Sequence, residues 1–201
     1  MIDAIVLAAG LATRMGEIKP LATIEGEPAL SRILRRIREA GIGRPIVVLN
    51  AGSAQTIAGA VDLAECTVVE NDSPEVGLSR SLRLGLNAVS AEAAGVLVFH
   101  ADMPFIEAGT VRAVLRVAEG GASIAAPVCS GRRGFPVFFS KSHLPGLRRS
   151  LSGDAGGRAY IETHREDLET IPVDDSGCVY DIDRPEDLAA WEGGLACATN
   201  A

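Results

Sequence analysis

Apolar positions recur along the chain in two alternating rhythms. Compact aliphatic runs at Ile2–Ala8, Pro45–Asn50, Thr67–Glu70 and Gly95–His100 read as strands. Between them lie stretches with helical spacing: Pro28–Ala40, Ser53–Val61, Leu78–Val89 and Glu107–Glu119. In the first helix Leu30, Ile33, Leu34 and Ile37 share one face, with Pro28 near the start and Gly41 past the end. In the third, Leu82, Gly85, Leu86 and Val89 are expected to face inward. Gly95–His100 is so apolar that both its faces should be covered. This alternation predicts a Rossmann-like, three-layer α/β/α fold around a mostly parallel sheet. Beyond residue 120 the rhythm loosens. Strands are expected at Ser123–Cys129 and Pro136–Phe139, separated by the turn-rich Ser130–Gly134. Helical segments follow at Ser142–Ser150 and Ala155–Thr163, then a strand at Leu168–Val173 and a last helix from Pro185 to about Trp191. A single domain over residues 1–195 is expected, with halves of about 1–120 and 121–195 and a frayed tail at 196–201.

Composition narrows the function classes. The chain of 201 residues is 47% hydrophobic but only 4% aromatic, so its core must be mostly aliphatic. A net charge of −7 argues against nucleic-acid binding, which needs a basic surface. No apolar run reaches the length of a membrane span, and no basic leader precedes Ile2. Cys66, Cys129, Cys178 and Cys197 form no CxxC pair. Reduced thiols and a cytoplasmic location are expected.

The segment Leu7-Ala8-Ala9-Gly10 through Arg14, Gly16 and Lys19 carries the strongest chemical signal. It follows a buried strand, at the sheet edge where α/β proteins collect ligands. Its small residues let backbone N–H groups approach phosphate, and Arg14 and Lys19 supply a fork and a point charge. The dinucleotide pattern G-x-G-x-x-G fails at Ala12. The P-loop pattern fails at Glu17. Asp102, in His100-Ala101-Asp102-Met103-Pro104, stands after another buried strand, where a carboxylate suits either Mg²⁺ or a helix cap. Asp181 and Asp183 share one face if Tyr180–Arg184 is extended, and Asp183 also suits capping of the helix opened by Pro185. Asn71, Gly77 and Ser81 surround a third strand-to-helix junction, where a helix N-terminus suits an anionic or polar ligand. His100, His143 and His164 lack metal-ligand spacing and are expected to be surface or structural residues.

Together L-A-A-G-x-x-x-R-M-G-x-x-K, the D-x-P at Asp102 and Asp181-Ile182-Asp183-Arg184-Pro185-Glu186-Asp187-Leu188 resemble the MobA-like nucleotidyltransferases, the molybdenum cofactor cytidylyltransferases in particular. The resemblance implies a fold of the nucleotide-diphospho-sugar transferase type, with a nucleotide-binding first half and an acceptor-binding second half. It implies that Leu7, Ala8, Ala9, Gly10, Arg14, Lys19, Asn71, Gly77 and Ser81 bind nucleotide. Arg14, Lys19 and Asp102 would be catalytic, and Mg²⁺ would sit on Asp102 with Asp183 or Asp181. The motifs Gly131-Arg132-Arg133-Gly134-Phe135-Pro136 and Gly153-Asp154 through Arg158 resemble the family's acceptor side. Arg132, Arg133, Gly134, Phe135, Pro136, Asp154 and Arg158 would line it. Phe135 stands where the family pattern has His, which leaves the acceptor open.

Ala9, where the guanylyltransferase branch reads Gly, favours CTP over GTP. The implied reaction transfers CMP from CTP to the phosphate of molybdopterin, or of another phosphorylated acceptor, and releases pyrophosphate. A phosphate monoester, with a second pKa near ~6, is already largely dianionic at neutral pH and needs no general base. Three rival readings stay open: GTP as donor or a sugar-phosphate acceptor, a dinucleotide-dependent oxidoreductase, and a non-catalytic module that delivers cofactor to a molybdoenzyme or its chaperone. The missing second glycine counts against the oxidoreductase. The cations and acids in place count against lost catalysis.

Overall fold

Alternate residues of strand β1 (Ile2–Ala8) leave on opposite sides, and both sides are apolar. Ala4, Val6 and Ala8 join one core cluster, while Ile5 and Leu7 join a second. A strand of this kind must be covered by helices on both faces. A computed structural model of the chain describes residues 1–10 and 18–192 and contains those two layers.

After β1 come a 3₁₀ turn at Lys19–Leu21, β2 (Thr23–Ile24), β3 (Glu27–Pro28), α1 (Ala29–Glu39), β4 (Ile46–Asn50) and α2 (Ala51–Ala60). Next are β5 (Thr67–Asn71), α3 (Leu78–Asn87), β6 (Gly95–His100), α4 (Ala108–Glu119) and β7 (Ile124–Cys129). The chain continues through β8 (Arg132–Arg133), β9 (Val137–Ser140), α5 (Leu144–Ser150), α6 (Arg158–Thr163), β10 (Leu168–Pro172) and α7 (Pro185–Glu192). The main sheet has the order β10-β7-β9-β6-β1-β4-β5, with β8 attached to β7. Pairing is parallel except around β9, which runs against both β6 and β7, and at β8. Helices α1, α2 and α4 pack on one face, and α3, α5 and α6 on the other.

This topology creates the crevice. β4 and β5 extend the sheet from one side of β1, and β6 pairs with its other side. Strand order therefore reverses between β1 and β6, and α/β proteins place ligands at the carboxyl edge of such a switch point. The Ala101 N–H donates to the Leu7 carbonyl at 3.0 Å, tying the two strand ends together.

Several sequence expectations shift by up to three residues at element ends. Helix α2 starts at Ala51 rather than Ser53 because the Asn50 side chain accepts the Gly52 N–H at 2.9 Å. Helix α5 begins at Leu144 and α6 at Arg158, each later than apolar spacing predicts. The β2–β3 hairpin is absent from the sequence reading, since its two-residue strands carry no periodicity. It is held instead by a third cluster in which Ile24 and Ala29 meet Phe105 and Ile182, with Trp191 stacked on Phe105 at 4.0 Å. Val89 is only half-buried. Cys66, Cys129 and Cys178 are buried free thiols, and burial pushes Cys178 up to about 12; Cys197 lies outside the described residues. Among the described residues no helix is long and apolar enough to cross a membrane.

The buried carboxylate of Asp175 fastens the segment before α7 to α4. It accepts hydrogen bonds from the Glu107 N–H at 2.9 Å, the Thr110 hydroxyl at 2.6 Å and the Gly177 N–H at 2.9 Å. Asp175→Ala leaves those donors buried without a partner and should cost about 3 kcal/mol of stability. Urea unfolding will show it as a lower midpoint with an unchanged slope.

Candidate active site

Two adjoining cavities open at the carboxyl edge of the sheet. The first, of about 310 Å³, is walled by Leu7, Ala8, Ala9 and Gly10 after β1, by Gly77, Leu78 and Ser81 at α3, and by His100–Asp102 after β6. Lys19 also lines it, and so do the acids Glu75 and Asp154. The second, of about 660 Å³, lies over β9 and α6. Its walls include Arg132, Arg133, Gly134, Phe135, Asp154 and Arg158. Leu7, Leu78, His100 and Asp154 line both, so the two cavities share a wall.

The ammonium of Lys19 lies between two carboxylates. Its Nζ is 2.5 Å from Asp183 Oδ1 and 3.9 Å from Asp102 Oδ2. Tertiary packing makes this meeting possible across a sequence separation of 164 residues. Ile182 sinks into the Phe105 cluster, and its N–H donates to the Asp102 carbonyl at 2.8 Å. Alternation then keeps Asp181 and Asp183 away from that cluster. Partial burial, and then the charges of Asp102 and Asp183, hold the Asp181 carboxyl above the usual carboxylate range, against the pull of Lys19. The N-terminus of α7 is capped from within, because Asp187 Oδ2 accepts from the Asp183 and Arg184 N–H groups, each at 2.8 Å.

Two expected nucleotide contacts have other surroundings. Asn71 does not line the first cavity. It is fully buried, donating to the Ser81 hydroxyl at 3.0 Å and accepting from the Ser73 N–H and Arg80 Nε. Burying an amide is tolerable only with such partners, and here they fix the wall that bears Ser81. The α3 N-terminus is likewise not an open anion seat. The Leu78 N–H already donates to Asp154 Oδ1 at 3.2 Å, and the Ser79 N–H to the Gly153 carbonyl at 3.1 Å. Asp154, expected on the acceptor side, thus also ties the two halves of the site together.

Gly77 is required by this contact. Its φ is +106°, and a Cβ there would come within 2.4 Å of Asp154 Oδ1 and 2.8 Å of the Gly153 carbonyl oxygen. Gly77→Ala should cost about 2–3 kcal/mol through backbone strain and displacement of the Gly153–Asp154 loop. Thermal unfolding together with both substrate KM values measures the two effects separately.

Pro136 is buried beneath the second cavity without lining it. Gly134 packs where a Cβ would meet the Cys178 carbonyl oxygen at 2.3 Å. Arg132 donates to the Val179 carbonyl, and Arg133 pairs with Glu162 at 3.4 Å. His100 departs from the expectation of a merely structural histidine. Its ring lies between the cavities, 4.3 Å from the Phe135 ring, with Nδ1 3.9 Å from Asp102 Oδ1. Burial lowers its pKa, against the charges of Asp102 and Asp181. A lone histidine without ligand spacing gave no sequence signal for this place. His143 and His164 flank Tyr160, away from both cavities. Arg14 lies outside the described residues. Among the described residues no three His, Cys, Asp or Glu side chains are grouped to hold a metal.

A mostly parallel sheet reversing at β1, with a small-residue loop and acids at that edge, defines a nucleotidyltransferase-type domain. Residues 4–168 match the MobA-like NTP transferase domain, and the chain belongs to that family. It is 25% identical to the molybdenum cofactor cytidylyltransferase of Escherichia coli K12 over 192 residues, 93% of each protein. It is 35% identical to the bifunctional protein GlmU of Sphingopyxis alaskensis over 116 residues, 57% of this chain. The match spans only 25% of that longer relative. The crystal structure of Rv0371c from Mycobacterium tuberculosis superposes with a TM-score of 0.82 at 29% identity, covering 96% of this chain and 97% of that one. A further structure of the same mycobacterial protein is a complex with manganese.

Proposed function

We propose that the protein transfers CMP from CTP to the phosphate of molybdopterin, with Mg²⁺, and releases pyrophosphate. The observation that carries this reading is the convergence of Lys19, Asp102 and Asp183 where a smaller and a larger cavity meet. In this reading the smaller cavity takes the nucleotide and the larger the acceptor. The cytidylyl choice rests on Ala9 and is supported by the likeness to the Escherichia coli enzyme along nearly its whole length.

The donor set fits a divalent cation. Hard carboxylate oxygens of Asp102 and Asp183 flank a position now approached by an ammonium. Mg²⁺ commonly takes only one or two carboxylates and completes its shell with phosphate and water. Once bound, it would supply charge neutralisation at the reacting phosphates. Asp183 is favoured over Asp181 as the partner of Asp102, because Asp183 shares Lys19 with it.

The chain's own residues do the positioning. Gly10 and its neighbours bring backbone close to the triphosphate, and Lys19, with Arg14, offsets its charge. An acceptor phosphate oxygen bonds to the α-phosphorus as the bond from that phosphorus to the β-phosphate bridging oxygen breaks. The electron pair leaves with pyrophosphate, and no proton needs to be removed from a dianionic acceptor. Alignment and charge stabilisation therefore supply most of the rate.

Pyrophosphate release from CTP and from GTP, each with Mg²⁺ and molybdopterin, tests the reading. Release with CTP is the expected result. Release with GTP alone would overturn the use of Ala9. Silence with both, followed by turnover of a hexose 1-phosphate, would move the acceptor to the sugar phosphates.

A further inference from the structure

Asn71 ends β5 fully buried, and its amide has one possible orientation. Oδ1 faces two groups that can only donate, the Ser73 N–H at 3.1 Å and Arg80 Nε at 2.9 Å. The atom facing both must be the oxygen, so Nδ2 is the atom that meets Ser81 Oγ at 3.0 Å. Arg80 is itself steadied from outside, its Nη2 donating to Asp72 Oδ1 at 2.5 Å. An amide nitrogen only donates, so the Ser81 oxygen accepts in this contact.

The hydroxyl proton of Ser81 is left over. Ser81 is only 5% exposed and lines the smaller cavity. Among the described residues no carbonyl or carboxylate takes that proton; the Asn71 contact is the hydrogen bond its side chain makes. A buried donor whose capacity is unspent on protein is expected to find its acceptor in a ligand.

The sheet order says which end of a nucleotide that is. The small-residue loop and Asp102 follow β1 and β6, neighbours in the sheet, and Lys19 joins them. Ser81 is tethered to the end of β5, two strand positions from β1 in the order β6-β1-β4-β5, roughly 10 Å away. A nucleotide with its phosphates at β1 and β6 therefore turns its base toward Ser81.

We propose that Arg80 and Asn71 are positioning residues for nucleobase selection, holding the Ser81 hydroxyl as a donor toward N3 of cytosine. That ring nitrogen carries a lone pair. The matching atoms, N3 of uracil and N1 of guanine, carry a hydrogen that opposes the Ser81 proton. The base is thus chosen by the polarity of one hydroxyl, fixed from behind by a buried amide. This inference rests on the reading of the smaller cavity as the CTP site.

Calorimetric binding of CTP and of UTP, each with Mg²⁺ and without acceptor, tests it. The parent should prefer CTP. In Asn71→Asp the new carboxylate, kept ionised by Arg80, can only accept. The Ser81 proton then turns back to it and leaves a lone pair toward the base, so the preference for CTP over UTP should fall about tenfold. Ser81→Ala should weaken CTP about fivefold and change UTP little. The double variant should bind like Ser81→Ala alone, because Asn71 acts through the hydroxyl. Arg80→Met, which frees the amide to flip, should lower the preference in the same direction.

An unchanged preference in Asn71→Asp or in Ser81→Ala, each folded by circular dichroism, would overturn the proposal. Equal losses for both nucleotides, or additive losses in the double variant, would overturn it as well. If Asn71→Asp does not fold, Ser81→Ala and Arg80→Met decide on the same terms. A parent that binds CTP and UTP equally would also overturn it. A parent that binds no nucleotide would overturn the CTP reading and the proposal together, whereas a preference for CTP that survives in the variants would overturn the proposal alone.

Discussion

Replacing Lys19 with alanine is expected to lower kcat by about 100- to 1000-fold, the usual consequence of deleting one fixed charge that faces a reacting phosphate. The effect should be this large because Lys19 is the cation that lines the smaller cavity among the described residues, beside the acids Glu75, Asp102 and Asp154. A triphosphate brings further negative charge into the same space. The Lys19 side chain is only 18% exposed, so water screens the interaction weakly. Lys19→Arg should recover only part of the loss. The planar fork is larger and spreads its charge, whereas the ammonium fits between two carboxylates as a compact ion. Steady-state pyrophosphate release with saturating CTP is the measurement. A rate near the parent's would remove Lys19 from the chemistry and leave it as a structural ion pair with Asp183.

Asp102→Asn is expected to lower turnover by about 1000-fold, because it removes a charge worth several kcal/mol to cation binding at the reacting centre. The amide is nearly isosteric, and the Asp102 carbonyl that accepts from Ile182 is unaffected, so the fold should survive. Direct titration with Mn²⁺ separates a binding defect from a general loss of activity. The midpoint should rise about 10- to 100-fold in the Asp102 variant. Asp183→Asn should shift it comparably and Asp181→Asn less, since Asp183 is the nearer partner of Lys19. If Asp181→Asn gave the larger shift, the metal pair would be Asp102 with Asp181.

Much of this protein was legible in its sequence because local patterns obey local physics. The aliphatic runs at Ile2–Ala8 and Gly95–His100 have to be strands covered on both faces. The α1 face of Leu30, Ile33, Leu34 and Ile37 has to be buried. The glycine loop announced phosphate chemistry through residue type and spacing, while the D-x-P at Asp102 and the D-I-D at Asp181–Asp183 added to it by their resemblance to the family. The acceptor motifs around Arg132 and Arg158 do line one cavity. The sequence left Asp183 divided between helix cap and site, because either use suits an aspartate before Pro185.

What only the tertiary structure decided are the meetings between distant segments. Asp183 faces Lys19 because Ile182 and Trp191 pack around Phe105, an apolar contact with no periodic signature. Asn71 reads as a ligand contact by its motif, yet lies buried beneath the wall that presents Ser81. Gly77 reads as a nucleotide residue and lines the smaller cavity, and its bare Cα also admits the Asp154 loop. His100 had no motif at all, and its place between the two cavities follows from strand register and from the stacking of Phe135. Periodicity determines which face of an element is buried. Which elements then touch is set by long-range packing, whose free energy belongs to pairs of residues that the linear chain keeps far apart.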